Sequence, residues 1–202
     1  MLPIVPHPDQ TMSVNKKVLT DLLASLAAID STHALIGGLA AGYYGKPRAT
    51  VDVDMLVPHR AAENLRAELE RRGYRVDVSR DMLRIYRRGS KEAVADLVWR
   101  EAHPALKAAS AHVTRALVLG LRVNLVKRGA FVALKWHAAI SPRRGRTDKQ
   151  QDVVDIMRVL DKKFDPADEA LAVAIAEKSY PGGGRNLAEM LDDIRNARPV
   201  KV

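Results

Sequence analysis

Cysteine is absent from the 202 residues, which excludes disulfides and thiolate-ligated metal sites. Aromatic residues are scarce, at 4%, so a row of rings on which bases stack, as in many single-strand binders, is not supported. No apolar run approaches the roughly 18 residues of a membrane span. The segment Met1 to Pro8 has no basic stretch followed by an apolar one, so no signal peptide is expected. A cytoplasmic location without membrane partners is the resulting expectation. The histidines show no paired metal spacing, and Ser31, Ser90 and Ser110 lie outside any strand-to-helix nucleophile turn, which gives a serine hydrolase little support.

Positive charge is plentiful. Lys and Arg number 33 against 24 Asp and Glu, a formal +9. Such an excess favours a polyanionic partner, nucleic acid first among them. It is concentrated in two places. Residues 71–88 carry seven arginines against Asp77 and Asp81, and Arg143, Arg144, Arg146 and Lys149 form a second cluster. With so few rings, phosphate contact is better supported than base reading. Hydrophobic residues make up 47% of the chain, enough for a globular core.

The most informative segment is Asp52-Val53-Asp54, set in the apolar alternation of Val51, Val53, Met55 and Val57. In a strand the two carboxylates point to one side, with Cα atoms about 6.6 Å apart at roughly 3.3 Å per residue. Side by side they repel unless a cation joins them, and Mg²⁺ takes one or two carboxylates together with substrate phosphates. Upstream, the apolar run His33 to Ile36 ends in Gly37-Gly38, a strand running into a tight turn and then a helix over 39–44. A third acid, Asp96, interrupts the apolar run 94–98, where an unpaired buried carboxylate would cost several kcal/mol.

Periodicity predicts helices over 13–29 and 61–72, and strands over 50–57, 74–78, 82–87, 92–99 and 121–126. Beyond these come helices over 129–141, 148–160, 166–178 and 186–197. The expected organisation is a loose arm over 1–12, an α/β (α+β) core with a mixed sheet over 13–127, and a C-terminal helical segment over 128–202. Asp152 and Asp155 stand three residues from Lys149 and Arg158, a spacing that predicts ion pairs within one helix. His137 beside Trp136 reads as packing.

Taken together, Ile36-Gly37-Gly38, a spacer over 39–51, Asp52-Val53-Asp54-Met55 and the later Asp96 resemble the nucleotidyltransferase superfamily of the DNA polymerase β type. The run from Gly37 through Gly45-Lys46-Pro47-Arg48-Ala49-Thr50 to Asp54 is similar to one branch, the minimal prokaryotic nucleotidyltransferases related to AbiEii toxins. So is Ala133-Leu134-Lys135-Trp136-His137-Ala138 followed by Lys149-Gln150-Gln151-Asp152-Val153-Val154-Asp155. The resemblance covers residues 33–160. It implies a polymerase-β-like core and Mg²⁺-dependent transfer of a nucleotidyl group from an NTP to a hydroxyl. Asp52, Asp54 and Asp96 would be the catalytic, metal-holding acids. Gly37 and Gly38 would approach the triphosphate, with Arg48 and Lys135 as candidate phosphate contacts. The acceptor stays open between an RNA end, such as that of a tRNA, and a protein hydroxyl. Some relatives in this branch are toxins, which implies a possible acidic antitoxin partner. The competing expectation is a nucleotide- or nucleic-acid-binding module of the same fold without catalysis.

Overall fold

A computed structural model describes residues 8–47, 50, 52–162 and 164–200, with the backbone alone for 8–15. Among the described residues one seven-stranded mixed sheet is flanked by eight α-helices. The strands are β1 (Ala34–Leu35), β2 (Val53–Val57), β3 (Tyr74–Val78), β4 (Met82–Arg87), β5 (Ala93–Trp99), β6 (Val113–Val118) and β7 (Leu121–Val126). Their order across the sheet is β3-β4-β5-β2-β1-β7-β6. β2 runs parallel to β5, and β1 parallel to β7, while the other neighbours are antiparallel.

The residue pattern explains the layering. In central β2, Val53 and Met55 to Val57 are all buried, as a strand covered on both faces requires. Outlying β3 alternates instead, burying Tyr74 and Val76 and exposing Arg75 and Asp77. Helix α1 (Pro8–Ala28) packs on α3 (Ala62–Arg71) and against β2 and β5, with Val18, Leu19, Leu22 and Leu26 buried at helical spacing. Tyr74 donates its hydroxyl to Asp21 of α1 at 2.6 Å. Short α2 (Gly37–Tyr44) follows β1 directly, and its Tyr44 hydroxyl donates to the Val126 carbonyl at 2.7 Å.

All strands lie before residue 127, and the chain is helical after it. α4 (Pro104–Ser110) leads through β6 and β7 to α5 (Arg128–Ala139), α6 (Arg146–Leu160), α7 (Pro166–Ala176) and α8 (Gly183–Arg195). α5 is buried almost all round because α2, α4, α6 and α7 surround it. A Cβ on Gly129 would lie 2.1 Å from the Asp168 carbonyl oxygen, so glycine permits the close crossing of α5 and α7. No helix among the described residues is long and apolar enough to cross a membrane.

The expected mixed α/β architecture is the one observed, and three details differ. The first helix starts at Pro8, ahead of Ser13, where a proline at the first helical position forfeits no hydrogen bond. α2 begins at Gly37 itself. β6 and α4 had no counterpart in the periodicity: most of β6 is exposed, and α4 has only seven residues.

Candidate active site

β1 ends at Leu35 and α2 opens at Gly37, which adopts a left-handed φ of +65°. A Cβ there would fall 1.8 Å from Oδ2 of Asp54. At Gly38 it would fall 2.4 Å from the Thr50 hydroxyl oxygen. The two glycines therefore make room for the side chains of Asp54 and Thr50. The space that the sequence reserved for a triphosphate is, at the Cβ positions, filled by this chain's own residues. Glycine is required at 37 by conformation and by space together.

Asp54 is fixed from several sides. Its backbone carbonyl accepts from Ile36 N–H at 3.0 Å, and its carboxylate accepts from the Gly38 backbone N–H. Parallel pairing of β2 with β5 sets Asp54 directly beside Asp96. Asp52 lies just before β2, and its Oδ1 accepts from the Thr50 hydroxyl at 3.0 Å. Burial, then the charges of Asp52 and Asp96, push the Asp54 carboxyl up to about 7; Lys135 and the Gly38 amide offset this only in part. An acid held at such a value by desolvation and like charge marks a functional site candidate.

Asp96 has a partner that lay unread in the sequence. Arg84 on β4 stands opposite it in the antiparallel register and donates from Nε and Nη2 to its two oxygens, at 2.9 and 3.0 Å. Planar bidentate pairing of this kind fixes orientation as well as charge.

Across the cavity, Lys135 of α5 is nearly buried. Its ammonium lies 2.9 Å from Asp152 Oδ1 and 2.8 Å from Asp155 Oδ2 on α6. Both acids are about 1% exposed. The helix-face pairs expected with Lys149 and Arg158 are replaced by this inter-helix triad, because both carboxylates point inward. Arg144 Nε comes to 2.8 Å of the other Asp152 oxygen without the geometry of a hydrogen bond, so that oxygen accepts none. His137 is also more than packing. Its ring lies 4.4 Å from that of His103, and its Nδ1 is 3.1 Å from the Ser179 hydroxyl. Burial depresses both imidazoles below their ordinary value, and for His137 the neighbouring ring adds to it.

One cavity of about 470 Å³ is lined by Gly37, Gly38, Asp52, Asp54, Asp96 and Lys135 together, with Thr50, Arg144 and Asp152 completing its polar wall. Arg48 lies outside the described residues. No group of three His, Asp or Glu side chains among the described residues is arranged to hold a metal ion. The donor set nevertheless suits a hard cation at the Asp52–Asp54 pair, where burial and then the like charges of Asp52 and Asp96 raise the Asp54 carboxyl. Asp96 already shares its charge with Arg84.

No protein-family model matches the chain, and no curated protein matches it. Solved structures do. The antibiotic-resistance factor ANT(2'')-Ia superposes with a TM-score of 0.57 at 15% identity, over 95% of this chain and 100% of the other. Its complex with adenylyl-2''-tobramycin gives 0.57 at 17% identity, over 84% and 100%. An antigenic nucleotidyltransferase-like protein from Paracoccidioides brasiliensis gives 0.55 at 19% identity, over 96% of each. The likeness is one of fold: the chain has the mixed α/β nucleotidyltransferase fold.

Proposed function

We propose that the chain is a nucleotidyltransferase that moves a nucleotidyl group from an NTP to a hydroxyl acceptor, using Mg²⁺. The observation that carries this reading is the meeting of Asp52, Asp54 and Asp96 in one cavity with Gly37, Gly38 and Lys135. Asp52 and Asp54 would hold the ion, with Asp96 beside them. Bound there, Mg²⁺ would neutralise phosphate charge and polarise a phosphoryl oxygen. The chain's own residues supply position. Gly38 N–H fixes Asp54, the Thr50 hydroxyl orients Asp52, and Arg84 holds Asp96 towards the acceptor. Transfer forms a bond from the acceptor oxygen to the α-phosphorus and breaks the bond to the β-phosphate, releasing pyrophosphate; the hydroxyl proton passes to a carboxylate of the cluster. Chemistry of this kind depends mainly on positioning and charge, so few other groups are needed.

The acceptor in this reading is an RNA end, with the tRNA end as the first to try, and the chain acts in the cytoplasm as the toxin of an AbiEii-like pair whose antitoxin is acidic. The formal +9 supports a polyanionic acceptor. Convergence of Lys135 with Asp152 and Asp155 supports the branch, since the segments that resemble it meet in space. ANT(2'')-Ia, an antibiotic-resistance factor of the same fold, is known in complex with adenylyl-2''-tobramycin, which supports testing antibiotics as acceptors too. Transfer of label from each α-³²P NTP onto total RNA, onto protein and onto antibiotics separates the acceptors. Asp52→Ala and Asp54→Ala should each abolish transfer, and activity that survives both would sink the mechanism.

A second reading, a nucleotide-binding module without turnover, is favoured by one observation: Arg84 engages both oxygens of Asp96. Calorimetric titration with Mg²⁺-NTP beside the label assay distinguishes the two, because the silent module binds and releases no pyrophosphate.

A further inference from the structure

The two basic clusters of the sequence part company in the folded chain. Most of the first is spent internally. Arg71 and Arg72 both pair with Glu68, Arg75 pairs with Asp77 and lies over the Tyr86 ring, and Arg84 is taken up by Asp96. The second cluster has a different fate. Among the described residues neither Arg146 nor Lys149 has an acidic side chain within ion-pairing distance, and Arg143 reaches only Asp81, at 3.6 Å with 87% of its side chain exposed.

Arg144, Arg146 and Lys149 line a single cleft of about 790 Å³ between α6 and the C-terminal segment, together with Gln150, Val153, Val154 and Val200. It is a separate depression from the acid cavity, and larger. Arg144 lines both. One edge of its guanidinium faces Asp152 while 43% of the side chain stays exposed, so it stands at the junction with its remaining donors available. Among the described residues no aromatic ring and no carboxylate lines the cleft.

We propose that this cleft is a binding site for the phosphate backbone of a single-stranded nucleic acid, and that it delivers the strand's end past Arg144 to the acid cavity. The inference rests on the nucleotidyltransferase reading for its direction, and it adds the location and the chemistry of acceptor binding. Guanidinium and ammonium groups without internal counterions release bound anions when a phosphodiester replaces them, which drives association. The absence of rings and acids predicts a grip on backbone without base preference. The free triphosphate of the NTP shares this chemistry and is the competing source of the phosphate.

The test uses the full chain with Arg146→Ser and Lys149→Ser combined; the first is exposed and the second half-buried, and unchanged circular dichroism confirms the fold. Binding of a short fluorescein-labelled single-stranded RNA is followed by anisotropy across a salt series, and binding of Mg²⁺-NTP by calorimetry. The expected result is RNA affinity lowered on the order of tenfold at about 50 mM salt, with the slope of log affinity against log salt reduced by roughly 0.7 for each lost contact. NTP affinity should stay unchanged. Arg87→Ser with Arg88→Ser, equally cationic but at the far end of β4, should leave RNA affinity within twofold, on the order of a single weak contact. Unchanged RNA affinity in the α6 variant, an equal loss in the β4 variant, or loss of NTP binding in place of RNA binding would each overturn the proposal. None of these readouts needs turnover, so an Asp54 variant that binds RNA normally but transfers nothing speaks to the catalytic reading alone.

Discussion

The two walls of the acid cavity handle charge in opposite ways. On the sheet side lie three carboxylates, Asp52, Asp54 and Asp96, of which Asp96 pairs with Arg84 among the described residues. On the helical side, Asp152 and Asp155 are matched by Lys135 and Arg144. On the helical wall each of these carboxylates has a cation within ion-pairing distance, which offsets the several kcal/mol of desolvation cost per buried ion. On the sheet wall, burial first and then the charges of Asp52 and Asp96 push the Asp54 carboxyl up to about 7. Charges paired on one side of a cavity and only partly offset on the other are what the proposed cation site requires. That difference argues for function more strongly than the Asp-x-Asp spacing does.

Breaking the sheet wall should have the largest effect on activity. Asp54→Asn keeps the acceptor for the Gly38 amide but removes the charge; transfer in the label assay should fall by at least on the order of 10²–10³-fold, as for loss of a main electrostatic group. Breaking the helical wall should act on stability instead. Lys135→Met removes the ammonium that both Asp152 and Asp155 contact and should cost about 3–5 kcal/mol in chemical denaturation. Adding Asp152→Asn and Asp155→Asn to it should recover most of that loss, which would mark Lys135 as a support and not as a free phosphate clamp. Gly37→Ala sits between the two walls. Its φ of +65° costs roughly 1–2 kcal/mol with a side chain, and the Cβ would displace Asp54; activity should drop nearly as far as in Asp54→Asn while stability also falls.

The smallest effect concerns pH. His33, His103 and His137 all have imidazoles depressed below the ordinary value of 6.5 by burial. Their folded forms take up protons less readily than the unfolded chain, so stability is fully present above pH 6.5 and declines as pH falls below it. Asp54 acts in the opposite direction over this range, so the histidine effect is read as a difference: relative to His137→Gln, the parent's melting temperature should decline between pH 7.5 and 5.5.

Much of the sheet wall was legible in the sequence. The alternation around Asp52 and Asp54 carries strand geometry in its period, Gly37-Gly38 marks the turn by its lack of side chains, and Asp96 is conspicuous inside an apolar run. The partners were not legible, for reasons of distance. Arg84 meets Asp96 only through the β4–β5 register, and on the sequence it was one arginine among seven. Lys135 is 17 residues from Asp152, so within-helix spacing pointed Asp152 and Asp155 at the wrong cations. The neighbours of the glycines were not legible either: Asp54 and Thr50 occupy the space their missing side chains leave, a contact that depends on the fold.

The most direct measurement is the stability of Asp54→Asn beside that of the parent chain, without added divalent cation, from pH 4 to pH 8. With a folded carboxyl pushed up to about 7, the ionised group destabilises the native state. The sign follows: the cost is absent where both states are protonated, grows as pH rises towards 7, and is full above it. The account predicts that the variant loses transfer yet becomes more stable above pH 7, by on the order of 2–4 kcal/mol, with the gain vanishing towards pH 4. A variant that is less stable than the parent at pH 8 would contradict it, because Asp54 would then be a satisfied structural acid and the sheet wall would have no charge deficit to offer a cation.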